Sequence, residues 1–337
     1  MDTPATSPAP SPAASPAPPP AHVPVATLTR GGLVESVHHG SVAVVGADGA
    51  LLAAVGDVAS PVYPRSALKP LQAVAMVRSG LDLPPDLLAL ACASHSGGEE
   101  HLSRVRRVLE LGGLGPGDLR NTPDLPIGEA ERAAWTAAGR GPQPLAQNCS
   151  GKHAAMLLTC RTAGWSTAGY LDPDHPLQRR VVQTVADLCG EPAVHPTADG
   201  CGAPLVAVSL LGLARALARI AGAAPGTPEG RVAEAMRVHP ELVAGEGRDT
   251  TALARAVPGL VTKDGAEAVQ VAATAAGAVA LKVGDGGGRA RVPVACAALE
   301  LLGVDPGALR PLAAVPVLGG GRPVGELRAL ALRPAPA

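Results

Sequence analysis

Ser66-Ala67-Leu68-Lys69 sets a hydroxyl and an amine three residues apart. On a helical turn that spacing puts both side chains on one side, where a neutral amine can take the hydroxyl proton and activate a weak nucleophile. A lysine does this only when burial and neighbouring cations bring it down from its ordinary value of ~10.4, and Arg65 is one such cation. The tetrapeptide alone is a weak signal, because surface pairs produce it often. Scarcity strengthens it: of 28 lysines and arginines, only Lys69, Lys152, Lys263 and Lys282 are lysine. Guanidinium keeps its proton under ordinary conditions whereas a desolvated ammonium can give it up. In a chain that otherwise carries its positive charge on arginine, lysine is expected where a proton moves or a ligand is needed. Chance survival of four lysines is the plain alternative, and their settings in glycine-, serine- or cysteine-bearing turns argue against it.

Three further stretches carry chemistry. "ACASHSGGEEH" ends an apolar run in Ser94, His95 and Ser96, hydroxyls placed to face a cleft; helix capping by serine is the alternative reading. Thr262-Lys263-Asp264-Gly265 puts a lysine at the end of an expected strand. S-x-x-K, then S-x-S, then K-x-G, in that order, parallels the serine, loop and strand elements of the penicillin-recognising acyl transferases. Asn148-Cys149-Ser150-Gly151-Lys152-His153 superficially ends like a phosphate loop, but Ala146 stands where the first glycine belongs and histidine follows the lysine, so nucleotide binding is rejected. Cys149 and Lys152 are again three apart, and "DGCGAP" adds Asp199 and Cys201. Two thiolates and an amine, with water, suit tetrahedral zinc, although isolated cysteines are more often core fillers.

The elements that must position these groups read as follows. Residues 1–22 form a Pro/Ala-rich tail expected to be disordered, with neither the basic nor the apolar region of a secretory signal. Residues 23–337 read as a single catalytic domain with two lobes. Two apolar runs around Asp48-Gly49 make a hairpin. Ser66–Ser79 reads as a helix, irregular at its start because Pro70 cannot donate to the Ser66 carbonyl. Glu99 and Glu100 open another helix. "PLVAVSLLGLARALARIAG" carries helical periodicity, and "GLVTKDGAEAVQVAA" and "AVALKVGDGGGRARVPVACAALELLG" read as strand, turn, helix. Strands cluster at both ends of the chain with helices between, which predicts a mixed α/β (α+β) fold: one antiparallel sheet shared by first and last segments, flanking helices, and a helical lobe.

Composition removes several classes of function. A net charge of −1, with two Trp, two Tyr and no Phe, offers neither a basic stripe nor stacking platforms for nucleic acid. No apolar run reaches the ~18 residues of a membrane span. Six scattered cysteines are not a disulfide scaffold, and a reducing, cytoplasmic setting is expected.

Together "RSALKPLQA", "ACASHSGGEEH", "NCSGKHAAML", "DPDHPLQ", "DGCGAP" and "TKDGAEAV", in consistent order from about residue 28 to 300, resemble the Rhizobium etli-type L-asparaginase family (asparaginase II). The resemblance implies a fold similar to serine β-lactamases and glutaminases, hydrolysis of L-asparagine to L-aspartate and ammonia, and a homodimer. It implies two Ser-Lys tandems, Ser66 with Lys69 and Ser94 with Lys263, and zinc on Cys149, Lys152 and Cys201. Asp199 would lie at the substrate, pairing with its α-amino group, and Arg65 with its α-carboxylate. The choice of Ser94 over Ser96, and of which serine attacks, stays open. Two departures stand out: "GAEAV" lacks an expected second glycine, and "EGRDTTAL" differs in a way that bears on substrate preference. A glutaminase or β-lactam-active serine enzyme is one rival reading, and a metal-dependent amino-acid sensor another.

Overall fold

The computed structural model describes residues 19–332. Eleven strands are present among them: β1 (Val23–Arg30), β2 (Leu33–Gly46), β3 (Leu51–Val55), β4 (Pro61–Val62), β5 (Val194–Ala198), β6 (Pro204–Ser209), β7 (Val261–Gly265), β8 (Val269–Thr274), β9 (Gly277–Val283), β10 (Ala314–Gly319) and β11 (Arg322–Ala329). Eight form one antiparallel sheet in the order β10-β11-β1-β2-β9-β8-β7, with β3 also beside β2; β4-β6-β5 form a second, small sheet. The expected union of chain ends is there: β1 lies against β11, with Leu28 opposite Leu327.

Period-two alternation builds two cores from one sheet. Val42 and Val44 of β2, with Val279 and Leu281 of β9, face one core; Ala43 and Val45, with Ala278 and Ala280, face the other. Helix α11 (Arg291–Glu300) covers the first face and α7 (Leu210–Ala221) the second. Around α7 gathers the helical lobe: α1 (Lys69–Arg78), α2 (Pro85–Ala91), α3 (Glu99–Leu111), α4 (Glu129–Ala137), α5 (Ser150–Thr162), α6 (Pro176–Cys189) and α8 (Pro228–Val238), followed by α9 (Pro240–Val243) and α10 (Asp249–Ala256). A last short helix, α12 (Pro306–Leu309), follows α11. None of the described helices is long and apolar enough to cross a membrane.

Three local readings are corrected. Residues 1–18 of the expected tail lie outside the described residues, but its last two do not behave as tail: Asp57 N–H donates to Ala21 O at 3.0 Å, and the His22 ring meets Ser41 Oγ at 2.9 Å. "PLVAVS" is strand, not helix; Val206 and Val208 are both buried, and Ser209 then caps α7 by accepting from Gly212 N–H. "VQVAAT" is also strand, an apolar run buried because β8 lies between β7 and β9. The irregular start expected for the helix from Ser66 is there: it begins as a 3-10 turn, Arg65–Leu68, and becomes α1 at Lys69.

Candidate active site

The stretch from β4 into α1 turns sharply. Arg65 sits at φ +54°, a left-handed conformation that costs a non-glycine residue roughly 1–2 kcal/mol. This bend carries the chain into the 3-10 turn and leaves Ser66 half-exposed while Lys69 is fully buried. From the far side β7 closes in. A Cβ added to Gly265 would collide with Pro64 O and come within 3.2 Å of Ala67 N, so only glycine lets the strand approach the Ser66 turn.

Lys69 Nζ has three partners: Ala93 O at 2.5 Å, Ser94 Oγ at 3.0 Å and Cys149 Sγ at 3.1 Å. An ammonium has three N–H groups to give; an amine has two and a lone pair, which can face Ser94 Oγ–H. Ser94 is brought there by backbone bonds on both sides of its segment. Ser94 N–H donates to Val243 O, His95 N–H to Asn148 O and Ser96 N–H to Ala244 O. The alternation separates the two serines: Ser94 meets Lys69, whereas Ser96 Oγ–H donates to Ala244 O and packs on Gly245.

The two tandems do not appear as expected. Among the described residues no side-chain hydrogen bond joins Ser66 to Lys69, because the tight 3-10 turn carries the lysine inward to Ser94. None joins Ser94 to Lys263 either. Lys263 Nζ turns to its own neighbour, donating to Asp264 O at 2.7 Å and Asp264 Oδ1 at 2.5 Å. Burial lowers Lys263 to about 8, with the charges of Lys69 and Arg248 adding to the effect and Asp264 opposing it.

Asp199 and Cys201 lie on the turn between β5 and β6, where Gly202 takes φ +85°. Arg65 Nε donates to Asp199 Oδ1 at 2.7 Å, and Gly200 N–H donates to the same oxygen. Burial pushes the Asp199 carboxyl up, but its bonds to Arg65 and Gly200 and the charge of Lys152 win and hold it below the usual carboxylate range. The Asp199 Oδ2 and both Arg65 Nη groups have no other hydrogen-bond partner among the described residues.

Behind this pair, Cys149, Cys201 and Lys152 are all buried. Lys152 Nζ lies 3.2 Å from Cys201 Sγ. Cys149 is held far below an ordinary thiol, chiefly by a hydrogen bond from Cys201 and further by Lys69 and Lys152; Cys201 is pushed up because its proton serves that bond. Burial pushes Lys152 down, but the negative charge of the coupled Cys149–Cys201 pair and Asp199 outweigh it and keep it an ammonium. Among the described residues no cluster of three or more His, Cys, Asp or Glu side chains could hold a metal, so a site here depends on the lysine.

Several supports were not singled out in the sequence. Gln147 Oε1 accepts from Cys149 N–H and from Asn121 Nδ2, and Gln147 Nε2–H donates to Asn148 Oδ1, which fixes the turn entering α5. Arg248 reaches Asp264 Oδ2 at 3.4 Å. Polar residues beside "NCSGK" and "KDG" were the available signal; their partners, more than 15 positions distant in two cases, were not.

A family match makes the chain a hydrolase of the amide-cleaving class. The chain belongs to the L-asparaginase II family, whose sequence model matches residues 26–329. A comparison with curated proteins found no match. Among solved structures, a β-lactamase from Mycobacterium bovis is similar at 17% identity and TM-score 0.40, covering 74% of this chain and 88% of that one. Mglu in its tris and glutamate form is similar at 16% identity and TM-score 0.34, covering 83% of this chain and 61% of that one. Mglu in its native form gives 15% identity and 0.33, covering 78% and 62%. This chain thus spans about three fifths of the Mglu chain.

Proposed function

We propose that this chain is an L-asparaginase, hydrolysing L-asparagine to L-aspartate and ammonia through an acyl-enzyme. The observation that carries the reading is the half-exposed Ser66, flanked in the chain by an Arg65–Asp199 pair with donors and an acceptor to spare and by a sealed Lys69 amine already in contact with a second serine. An amino-acid substrate presents the complement: its ammonium to Asp199 Oδ2 and its carboxylate to the Arg65 Nη groups. The side-chain carboxamide is then held near Ser66. Ser66 Oγ attacks the amide carbon as its proton passes, relayed over Ser94 Oγ, to Lys69 in its amine form, and backbone N–H groups of the turn stabilise the oxyanion. Collapse expels ammonia with the proton returned by the lysine. Water, deprotonated by the same amine, cleaves the ester to aspartate and restores Ser66. Ser94 keeps the Lys69 amine aimed, and Lys263 is the second proton-handling group.

Zinc fits the donors at the rear. Cys201 bonds Cys149 on one side and meets Lys152 Nζ at 3.2 Å on the other, a soft set suited to that ion, with the fourth position left to water or substrate. Cys149, Lys152 and Cys201 would hold it, and when bound it would supply a Lewis-acid anchor for a substrate oxygen. Without metal, Lys152 as an ammonium between sulfurs and Asp199 serves a related electrostatic purpose.

The test is ammonia release from L-asparagine and L-glutamine beside nitrocefin hydrolysis. Ammonia from asparagine is expected. Turnover of nitrocefin alone would replace the reading with a β-lactam-active enzyme, and stoichiometric asparagine binding by calorimetry without ammonia would replace it with a sensor.

A further inference from the structure

Lys263 is completely buried, yet its amine finds its partner on the next residue of its own strand. Consecutive strand residues face opposite sides, so an amine that bonds both the carbonyl and the carboxylate of its neighbour is folded back over the strand end rather than extended. The carboxylate is itself held from the other side, since Arg248 Nη2 lies 3.4 Å from Asp264 Oδ2. Arg248 comes from the segment just before α10, outside the sheet, and its Nη1 is buried without a partner among the described residues. One carboxylate therefore stands between two cations, one on β7 and one from the helical segment packed beside it.

We infer that Asp264 is a positioning residue for Lys263: it fixes the amine at the end of β7, and Arg248 competes with Lys263 for the same carboxylate. The inference rests on the proposed amide hydrolysis, in which Lys263 handles a proton. The groups that face Lys263 are Asp264 on β7, Lys69 at the start of α1, Arg248 before α10 and Cys92 at the end of α2; Arg291 of α11 also acts on Asp264. Of these, Asp264 favours the charged amine and Lys69 and Arg248 disfavour it. Asp264 thereby offsets burial and keeps the midpoint of Lys263 at about 8 instead of lower.

Two substitutions should move the amine in opposite directions. In Asp264→Asn it loses its counter-charge, and its midpoint should fall by about one pH unit. In Arg248→Gln a repelling cation and one competitor for Asp264 are gone, so the midpoint should rise. With four lysines in the chain, NMR of protein labelled with 13C-lysine at the ε carbon resolves each amine, and Lys263→Arg assigns the signal. The same experiment follows the pH dependence of kcat/KM for asparagine, whose limb should move with the NMR midpoint. Midpoints unchanged in both variants, or moved in the same direction, would overturn the inference, as would lost stability with the limb in place. Should Asp264→Asn fail to fold, a rise in Arg248→Gln supports the competition and a fall or no change refutes it. The NMR titration needs no substrate, so absence of ammonia release would defeat the functional reading while leaving this result to stand or fall separately.

Discussion

Lys69 Nζ lies 3.0 Å from Ser94 Oγ, a residue 25 positions further along the chain, and makes no hydrogen bond to Ser66 three positions before it. The lysine belongs in space to the loop of the second serine and in sequence to the turn of the first. In the proposed reaction, proton transfer would therefore involve both serines through one amine.

Replacing that amine by a guanidinium keeps the charge but ends proton exchange. Lys69→Arg should lower kcat for asparagine by roughly 10²–10⁴-fold, and larger bulk adds strain in a buried pocket. Ser66→Ala should abolish acyl-enzyme formation, seen as loss of a serine ester by mass spectrometry after rapid quenching. Ser94→Ala should retain the ester but slow its formation, because the lysine loses one anchor. An ester that survives in Ser66→Ala would transfer the nucleophile's role to Ser94.

Asp199→Asn should act on binding more than on chemistry. The substitution removes the charge that would hold the substrate ammonium, so KM should rise about tenfold to a hundredfold with kcat changed far less. Because Asp199 is held below the usual carboxylate range, it stays ionised throughout the working range. Its contribution to stability is complete above the unfolded value of ~3.9 and is lost as pH falls through the lower folded value. A wild-type unfolding curve that lost this increment at neutral pH would contradict the Arg65–Asp199 pair.

Gly265 is the position where β7 passes the Ser66 turn. Gly265→Ala puts a methyl into the Pro64 carbonyl, and overpacking of this kind should cost about 1–3 kcal/mol. Activity should fall more than stability, because the displaced element is the nucleophile's own turn. Equal activity per folded molecule, measured beside thermal melting, would show that the turn tolerates the shift.

The turn joining β7 to β8 carries Glu267 at φ +60° and Ala268 at φ +55° where the sequence comparison anticipated a second glycine. Ala268→Gly should relieve the left-handed strain and stabilise the fold by about 1 kcal/mol, a rise of about 1–2 °C in Tm for a chain of this length. A lower Tm would mean that the Ala268 methyl, which is buried, packs well enough to outweigh the strain.

Zinc uptake should release protons in a predictable number. Cys149 is already depressed, whereas Cys201 and Lys152 hold theirs tightly, so binding at neutral pH should set free about two protons per ion. Titration calorimetry in buffers of different ionisation enthalpy reads the number, and Lys152→Met should reduce it by about one while weakening affinity. No heat of zinc binding in metal-stripped protein would remove zinc from the site.

What the sequence alone determined are the features local physics fixes. The hairpin at Asp48-Gly49, the helix opened by Glu99 and Glu100 and the strand ending in "TKDG" follow from turn chemistry and apolar spacing, and the rarity of lysine picked out three of the buried cluster's members without any coordinates. The same local rules misread "PLVAVS" and "VQVAAT", because burial on both faces of a strand removes the alternation that distinguishes it from helix. Pairing was decided only in three dimensions. Spacing of three predicts Lys69 beside Ser66, but the left-handed Arg65 tightens the turn and sends the amine to Ser94. Lys263 was assigned to Ser94 and instead lies on Asp264, since a buried amine takes the nearest charged acceptor. The reach of Arg248 to that same carboxylate depends on how the segment before α10 packs on β7, a long-range contact that neither residue's neighbours in sequence encode.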